Sequence, residues 1–504
     1  MNTLYLGDCL NVLRDNVPDE SVDLIYNDPP FNSKRDYNIF FDDKEIQTQR
    51  IAFEDTWTLK NIQDSLAELH TLKTDNLYFL LLTYQKVAPH AFPYLTMMSL
   101  RILEMHRVLK PTGSFYLHCD PTMSHYLKTV CDVIFGAKNI LNEIVWCYGE
   151  RGISKRSYNK KHDIILFYAK INGEHLFNYK DIAEPYSEST IKKFKYTDTD
   201  GRKFRIRGRN VPEAGVLRQK TDIPIELESE FTYRQYLDES DGVLARDWFE
   251  MDFLNQAADE CLGYPTQKPK ALLERIIKAS SNEGDTVLDG FSGCGTTVDA
   301  AEGLHRNWIG IDISPIAISL VKRRLLDTYG EHLSKFEVRG TPTDEQSAIE
   351  LWKQNPNAFQ DWWLTEFEVF STTFGTKGAD KGIDGIAQYL TDPKTQNVIR
   401  AAFQVKGGVH IQSKDIDALL GAMDKHKCEL GVFLTIAEPT KPMLDTIASS
   451  GFIEIPGFKI PRLQILTLED YFKNKLLKLP KYNITFKAAQ LKGKKKQNQM
   501  KMDI

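Results

Sequence analysis

The stretch that most constrains the fold of this chain is Val22-Asp23-Leu24-Ile25-Tyr26-Asn27-Asp28-Pro29-Pro30-Phe31. The apolar run ending at Tyr26 reads as a buried strand of a parallel sheet. Two consecutive prolines cannot prolong it, since each fixes φ and lacks a backbone donor. The chain must turn stiffly at Asp28, leaving carbonyls there to accept hydrogen bonds. A carboxylate (Asp28), the Pro29 carbonyl and the aromatic face of Phe31 thus crowd at the carboxyl end of a strand, where open α/β sheets bind ligands.

A second landmark lies far downstream. After Tyr264-Pro265-Thr266-Gln267-Lys268-Pro269, the spacing of Leu272, Leu273, Ile276, Ile277 and Ser280 predicts a helix. It leads to a strand, Thr286 to Asp289, the loop Gly290-Phe291-Ser292-Gly293-Cys294-Gly295-Thr296-Thr297, a helix, and a strand from Trp308 to Asp312. A glycine-rich strand-to-helix turn lets a ligand approach the backbone, and an acid ending the next strand can accept both hydroxyls of a ribose. A nicotinamide-dinucleotide fingerprint would need a third glycine where this chain has Val298.

Together these residues resemble the amino-methyltransferases, which methylate adenine N6 or cytosine N4. The signature of that family is Asp/Asn/Ser-Pro-Pro-Tyr/Phe/Trp, and here it reads Asp28-Pro29-Pro30-Phe31. The catalytic motif precedes the cofactor motif, an order that resembles the circularly permuted β group. The resemblance implies an α/β, Rossmann-like, mostly parallel sheet and S-adenosylmethionine as cofactor. It implies Asp28, Pro29, Pro30 and Phe31 as the catalytic set. Asp289, Phe291, Gly293, Gly295, Thr296 and Asp312 are implied cofactor contacts, with Asp8 near the adenine and Lys268 near the methionine end. An exocyclic amine is a poor nucleophile because its lone pair is delocalised into the base. Two acceptors, the Asp28 carboxylate and the Pro29 carbonyl, would hold its hydrogens and aim the lone pair. The base must leave the duplex to reach them, and Phe31 offers a stacking surface. Phe31 in place of the commoner tyrosine keeps stacking and lacks a hydroxyl. The motif chemistry does not separate adenine from cytosine, whereas the resemblance favours adenine.

Between 171 and 260 periodicity loosens, and the family places target recognition there. Within this stretch, Arg202-Lys203-Phe204-Arg205-Ile206-Arg207-Gly208-Arg209 alternates cations with apolar residues, so a β-ribbon would put the cations on one face. Such a face suits double-stranded DNA, neutralising phosphate and offering arginine to guanine. Residues 32–57 are expected to form a loop over the substrate. His118, at the end of the strand Ser114 to His118, reads as structural rather than catalytic.

A chain of 504 residues exceeds one hydrophobic core. The methyltransferase domain is expected over 1–335, a second domain over 345–475 and a basic, disordered tail over 476–504. Helical sequence from Ala348 to Glu368 precedes two strand-like runs, Ile386 to Leu390 and Val398 to Val405, separated by a turn near Lys394. That hairpin would set Asp384 opposite Gln404, with Lys406 on the same face. Asp384 and Gln404 could hold Mg²⁺ through oxygen, and Lys406 could activate water beside a phosphate. The spacing, with Gly382-Ile383-Asp384-Gly385 and Phe403-Gln404-Val405-Lys406, resembles the Mrr-type restriction endonuclease domain, a smaller α/β fold. That family also carries an acidic residue or its substitute on the first helix, for which Gln360, Glu366 and Glu368 compete. The joint expectation is a restriction-modification enzyme. Its alternatives are cytosine-N4 methylation and a second domain that only binds DNA.

Seven scattered cysteines without a Cys-x-x-Cys pair fit reduced thiols in the cytoplasm. No run suits a signal peptide or a membrane span. Net charge is −5, which as a global value argues weakly against nucleic acid, but the local basic clusters carry more weight. A homodimer is among the assemblies the sequence leaves open.

Overall fold

The computed structural model describes residues 1–30, 59–72, 74–149, 155–210, 222–239, 242–254, 260, 262, 267–371, 383–392, 397–408 and 410–485. Phe31, the 32–57 stretch, Thr266 and the tail beyond 485 lie outside the described residues.

Strand β1 (Asn2–Leu6) is followed by helix α1 (Cys9–Asn16), which Asp8 caps by accepting from Leu10 N at 2.9 Å. Then come β2 (Val22–Asn27), helix α2 (Phe92–Val108), β3 (Leu109–Cys119), β4 (Ile140–Cys147) and β5 (His162–Ala169). A small antiparallel ribbon, β6 (Lys203–Gly208) and β7 (Thr232–Tyr236), precedes β8 (Trp248–Glu250). The remainder of this unit is α3 (Lys270–Ser280), β9 (Thr286–Asp289), α4 (Thr296–Gly303), β10 (Asn307–Asp312), α5 (Pro315–Tyr329) and β11 (Phe336–Arg339).

Nine strands form one sheet in the order β11-β1-β10-β9-β2-β3-β5-β4-β8. Six of its eight pairings are parallel, and only β3/β5 and β5/β4 run antiparallel. The middle of β2, Leu24-Ile25-Tyr26, is apolar on both faces because the sheet is covered on both sides. Ile25 joins the core that holds Leu13, Leu95 and Phe115, while Leu24 and Tyr26 join the opposite one with Ile276 and Trp308. Full burial of each such aliphatic side chain contributes about 1.5–3 kcal/mol. β11 pairs with β1, so the first unit runs one strand past the expected boundary at residue 335.

The second unit begins with α6 (Glu345–Gln354) and α7 (Pro356–Glu366), where one helical segment was expected. Pro356 lacks the N–H needed to continue α6, and the Asn355 side chain caps α7 by accepting from Ala358 N at 3.0 Å. A sheet follows in the order β12 (Phe370–Ser371), β13 (Gly385–Leu390), β14 (Val398–Lys406), β15 (Leu430–Thr435) and β16 (Leu463–Thr467). The short strand β17 (Tyr482–Asn483) pairs with the outer part of β13. Residues 476–485 therefore belong to this unit and not to the tail expected from 476. Among the described residues, no helix is long and apolar enough to cross a membrane.

Candidate active sites

The Asp28 turn and the glycine loop meet because their strands are neighbours. β2 and β9 pair in parallel, Leu24 with Val287 and Ile25 with Leu288, which sets their carboxyl ends side by side. Asn27, fully buried, joins the two turns. Its Oδ1 accepts from Gly290 N at 2.9 Å, and its Nδ2 donates to Met105 Sδ of α2 at 3.0 Å. A β-carbon at Gly290 would lie 2.8 Å from both Asn27 Oδ1 and Cys9 Sγ, so no larger residue fits. Asp28 follows, half-buried, with Pro29 buried behind it. The Lys268 ammonium donates to Asp28 Oδ2 and is itself 9% exposed, so the two sequence landmarks touch directly.

The loop after β9 is shaped by its carboxylates and glycines. Phe291 N donates to Asp289 Oδ1 at 3.0 Å, Gly293 N to Asp312 Oδ2 at 2.8 Å, and Ser314 N to Asp312 Oδ1 at 2.8 Å. Gly295 has φ 75°, and a side chain there would come within 2.6 Å of Val321 on α5. Burial pushes the Asp289 carboxyl up to about 7 and that of Asp312 up to about 6, against hydrogen bonds that pull both down. Asp8 stands at the end of β1, next to β10, where Gly7 N donates to the Asp312 carbonyl at 2.9 Å. Its carboxylate caps α1 and also pairs with the buried Arg101.

Several supporting residues were invisible in the sequence. Arg324 on α5 pairs with Asp299 at 2.8 Å and donates to Thr296 Oγ1 at 3.0 Å, while Lys270 and Tyr329 each reach Asp299 Oδ1 at 2.8 Å. This group, centred on the buried Asp299–Arg324 pair, fixes the first turn of α4 beneath the loop. Asn27 was also missed, although its place two residues on from Ile25, on the same face of the strand, puts it level with the glycine loop.

In the ribbon, Phe204 and Ile206 are buried on one side, as the alternation requires. The cations on the other side are not all exposed, however. Arg205 is only 7% exposed; its guanidinium lies 4.5 Å from the Phe194 ring centroid and donates to Gln235 Oε1 at 2.9 Å. Arg207 is half-buried and donates to the same oxygen at 3.4 Å. Arg202 is instead neutralised by Asp238 and Glu239, and Arg234 by Glu228.

In the second unit the hairpin has the expected register. Gly385 faces Phe403, Asp384 N donates to the Phe403 carbonyl at 2.8 Å, and the next position opposite Asp384 is Gln404. Asp384 and Gln404 are both buried, and Asp384 Oδ2 accepts from Val405 N at 2.7 Å. Gln404 Oε1 is buried and has no hydrogen-bond partner among the described residues. Lys406 is half-buried two residues on. Of the three competing helix residues, Glu366 accepts from Tyr471 at 2.8 Å, and Glu368 pairs with Arg323 at 2.6 Å. Each of these two carboxylates thus has a side-chain partner. Among the described residues no group of three or more His, Cys, Asp or Glu is arranged to hold a metal.

Comparison with known proteins bears on the two units separately. Residues 22–323 match the DNA methylase family, and the chain belongs to it. Residues 363–455 match the restriction endonuclease model. The chain is 28% identical over 324 residues to the DNA adenine methyltransferase YhdJ of Escherichia coli, covering 64% of this chain and 82% of that one. It is 30% identical over 215 residues to the type II methyltransferase M1.MboII of Moraxella bovis, covering 41% and 69%. It is 28% identical over 262 residues to the type II methyltransferase M.EcaI of Enterobacter cloacae, covering 46% of this chain and 57% of that relative's length.

Proposed function

We propose that the first unit transfers a methyl group to adenine N6 in a specific site of double-stranded DNA. S-adenosylmethionine, when bound, supplies the electrophilic methyl group on a sulfonium sulfur. The residues present suit it. Gly293 and Gly295 leave the loop backbone open, and the Asp312 oxygens, which accept from Gly293 N and Ser314 N, have lone pairs left for ribose hydroxyls. Asp28 and the Pro29 carbonyl accept the two amine hydrogens and turn the nitrogen lone pair toward the loop. The carboxylate also stabilises the positive charge that develops on that nitrogen. Lys268 holds Oδ2, which leaves Oδ1 as the oxygen that faces the amine. Phe31 stacks on the extruded base. The observation that carries this reading is the Asn27 bridge, which holds the acceptor turn against the glycine loop at neighbouring strand ends. The name of the E. coli relative favours adenine over cytosine N4. Purified protein given tritiated cofactor and plasmid DNA should label the DNA, and Asp28→Ala should not; equal labelling by both would end this assignment.

The second unit is proposed to cut DNA with Mg²⁺. Asp384 and Gln404 offer buried oxygen donors, and the orphaned Gln404 Oε1 is the kind of atom a hard cation would satisfy. One of Gln360, Glu366 and Glu368, at the first helix and its end, is proposed to complete the set. Bound Mg²⁺ would supply charge stabilisation at a phosphate, and Lys406 would orient water beside it. Nicking of supercoiled plasmid should require Mg²⁺ and vanish in Asp384→Ala and in Lys406→Ala. Cutting that survives both would exclude this site, and binding without cutting in the parent would leave a DNA-binding unit.

A further inference from the structure

Behind the acceptor turn runs a hydrogen-bonded chain of four side chains that the methyl-transfer chemistry does not use. The Tyr26 hydroxyl meets His118 Nδ1 at 2.8 Å, His118 Nε2 meets Asp163 Oδ2 at 3.2 Å, and the Tyr148 hydroxyl donates to Asp163 Oδ1 at 3.0 Å. His118 is fully buried and Tyr26 1% exposed. β2 and β3 pair Tyr26 with Tyr116 and Asn27 with Leu117, so the next positions along are Asp28 and His118. The imidazole thus stands behind the turn itself.

The proton positions follow from the partners. An ionised Asp163 only accepts, so Nε2 carries the hydrogen and Nδ1 is left to receive the Tyr26 hydroxyl. Burial, then the Lys268 charge, holds the imidazole below its ordinary range against the pull of Asp28 and Asp163. Burial acts to raise Asp163, yet the His118 hydrogen bond and the Lys268 charge bring it below the usual carboxylate range. The groups facing His118 are Tyr26 and Asp28 from the acceptor strand and its turn, Asp163 from β5, Lys268 from the segment before α3, and the Trp146 ring of β4, edge-on at 5.6 Å. A neutral imidazole is the state they support together.

We infer that His118 is a positioning residue for the amine-accepting turn: by receiving the Tyr26 hydroxyl while Asp163 holds its other edge, it fixes the backbone two residues before Asp28. Asn27 holds the same strand end from the opposite face of the sheet, so Asp28 is set between two anchors. The inference rests on the proposed methyl transfer to an exocyclic amine.

The test is steady-state methyl transfer to plasmid DNA with tritiated cofactor, comparing the parent with Tyr26→Phe, His118→Ala, His118→Asn and Asp28→Ala. Tyr26→Phe removes only the hydroxyl and guards against misfolding. The expected result is a kcat at least fivefold lower in Tyr26→Phe and His118→Ala, with KM for cofactor and DNA within twofold of the parent. His118→Asn, whose side-chain oxygen can stand where Nδ1 stood, should recover most of the loss. Parental kcat in Tyr26→Phe and His118→Ala would overturn the inference. So would a loss spread equally over kcat and both KM values and not rescued by His118→Asn, which marks packing alone. An active Asp28→Ala would instead remove the methyl-transfer reading itself, so the two failures are distinguishable.

Discussion

Asn27→Ala tests the bridge between the acceptor turn and the cofactor loop. The substitution removes the Oδ1 that accepts from Gly290 N and the Nδ2 that donates to Met105 Sδ, in a place with no exposure to solvent. An amide N–H left buried and unpaired costs about 1–3 kcal/mol. In a unit of this size, with about 2.1 cal/mol/K of unfolding entropy per residue, that lowers the midpoint of thermal unfolding by about 1–2 °C for each kcal/mol. The same loss lets the turn drift from the loop. If all of it appeared as misplacement of Asp28 in the transition state, the rate would fall roughly 5- to 150-fold, at tenfold for each ~1.4 kcal/mol. The assays are calorimetry on the purified protein and single-turnover methyl transfer to DNA with saturating cofactor. A variant that melts several degrees lower and transfers at least fivefold more slowly supports the argument. A variant with parental melting and parental single-turnover rate would show that the bridge holds nothing in place.

Asp289 has a folded pKa pushed up to about 7, so the folded chain binds a proton there that the unfolded chain releases near the ordinary carboxylate value. Stability from this group is complete below that ordinary value and is lost as pH rises through about 7, a decline of at most about 4 kcal/mol; urea unfolding should show a shallower decline from pH 5 to pH 8 in Asp289→Asn than in the parent. Cofactor affinity should strengthen as pH rises through about 6, because Asp312 must ionise to accept hydroxyls best, and titration calorimetry of Asp312→Asn should show weaker binding without that rise. Gly295→Ala should weaken cofactor binding at least tenfold in the same assay, since φ 75° disfavours a side chain and Val321 occupies its space. Gln404→Leu should stabilise the second unit by removing an orphaned polar atom while abolishing any Mg²⁺-dependent cutting, as thermal melts and plasmid nicking would report.

What could be read from the sequence was what local rules control. The apolar run into Asp28-Pro29 marks a buried strand and a stiff turn, and the helix from Lys270 to Ser280 shows its apolar face in the spacing of Leu272, Leu273, Ile276 and Ile277. The 384/404 register follows from placing one turn, since an antiparallel ladder fixes every pair once one is set. The break at Pro356 was equally local and was overlooked, because the aromatic periodicity on both sides of it reads as continuous. Residues chosen by tertiary contact were out of reach. Asn27 meets Gly290 across 263 residues, and β11 has a place only because β1 offers an open edge. The ribbon shows the same limit: alternation places Arg205 on the cationic side, and nothing in the residues told that Phe194 would cover it. Asp8 gave no sign of its commitment to Arg101, 93 positions away.

The central claim is that Asp28 and the glycine loop act together on an exocyclic amine of DNA. It is tested most directly by mass spectrometry of nucleosides digested from plasmid that has been incubated with the purified protein and cofactor carrying a deuterated methyl group. The account predicts N6-methyladenine bearing all three deuterons with the parent protein and none with Asp28→Ala. Label absent from every base, or present in equal amount with both proteins, would contradict it.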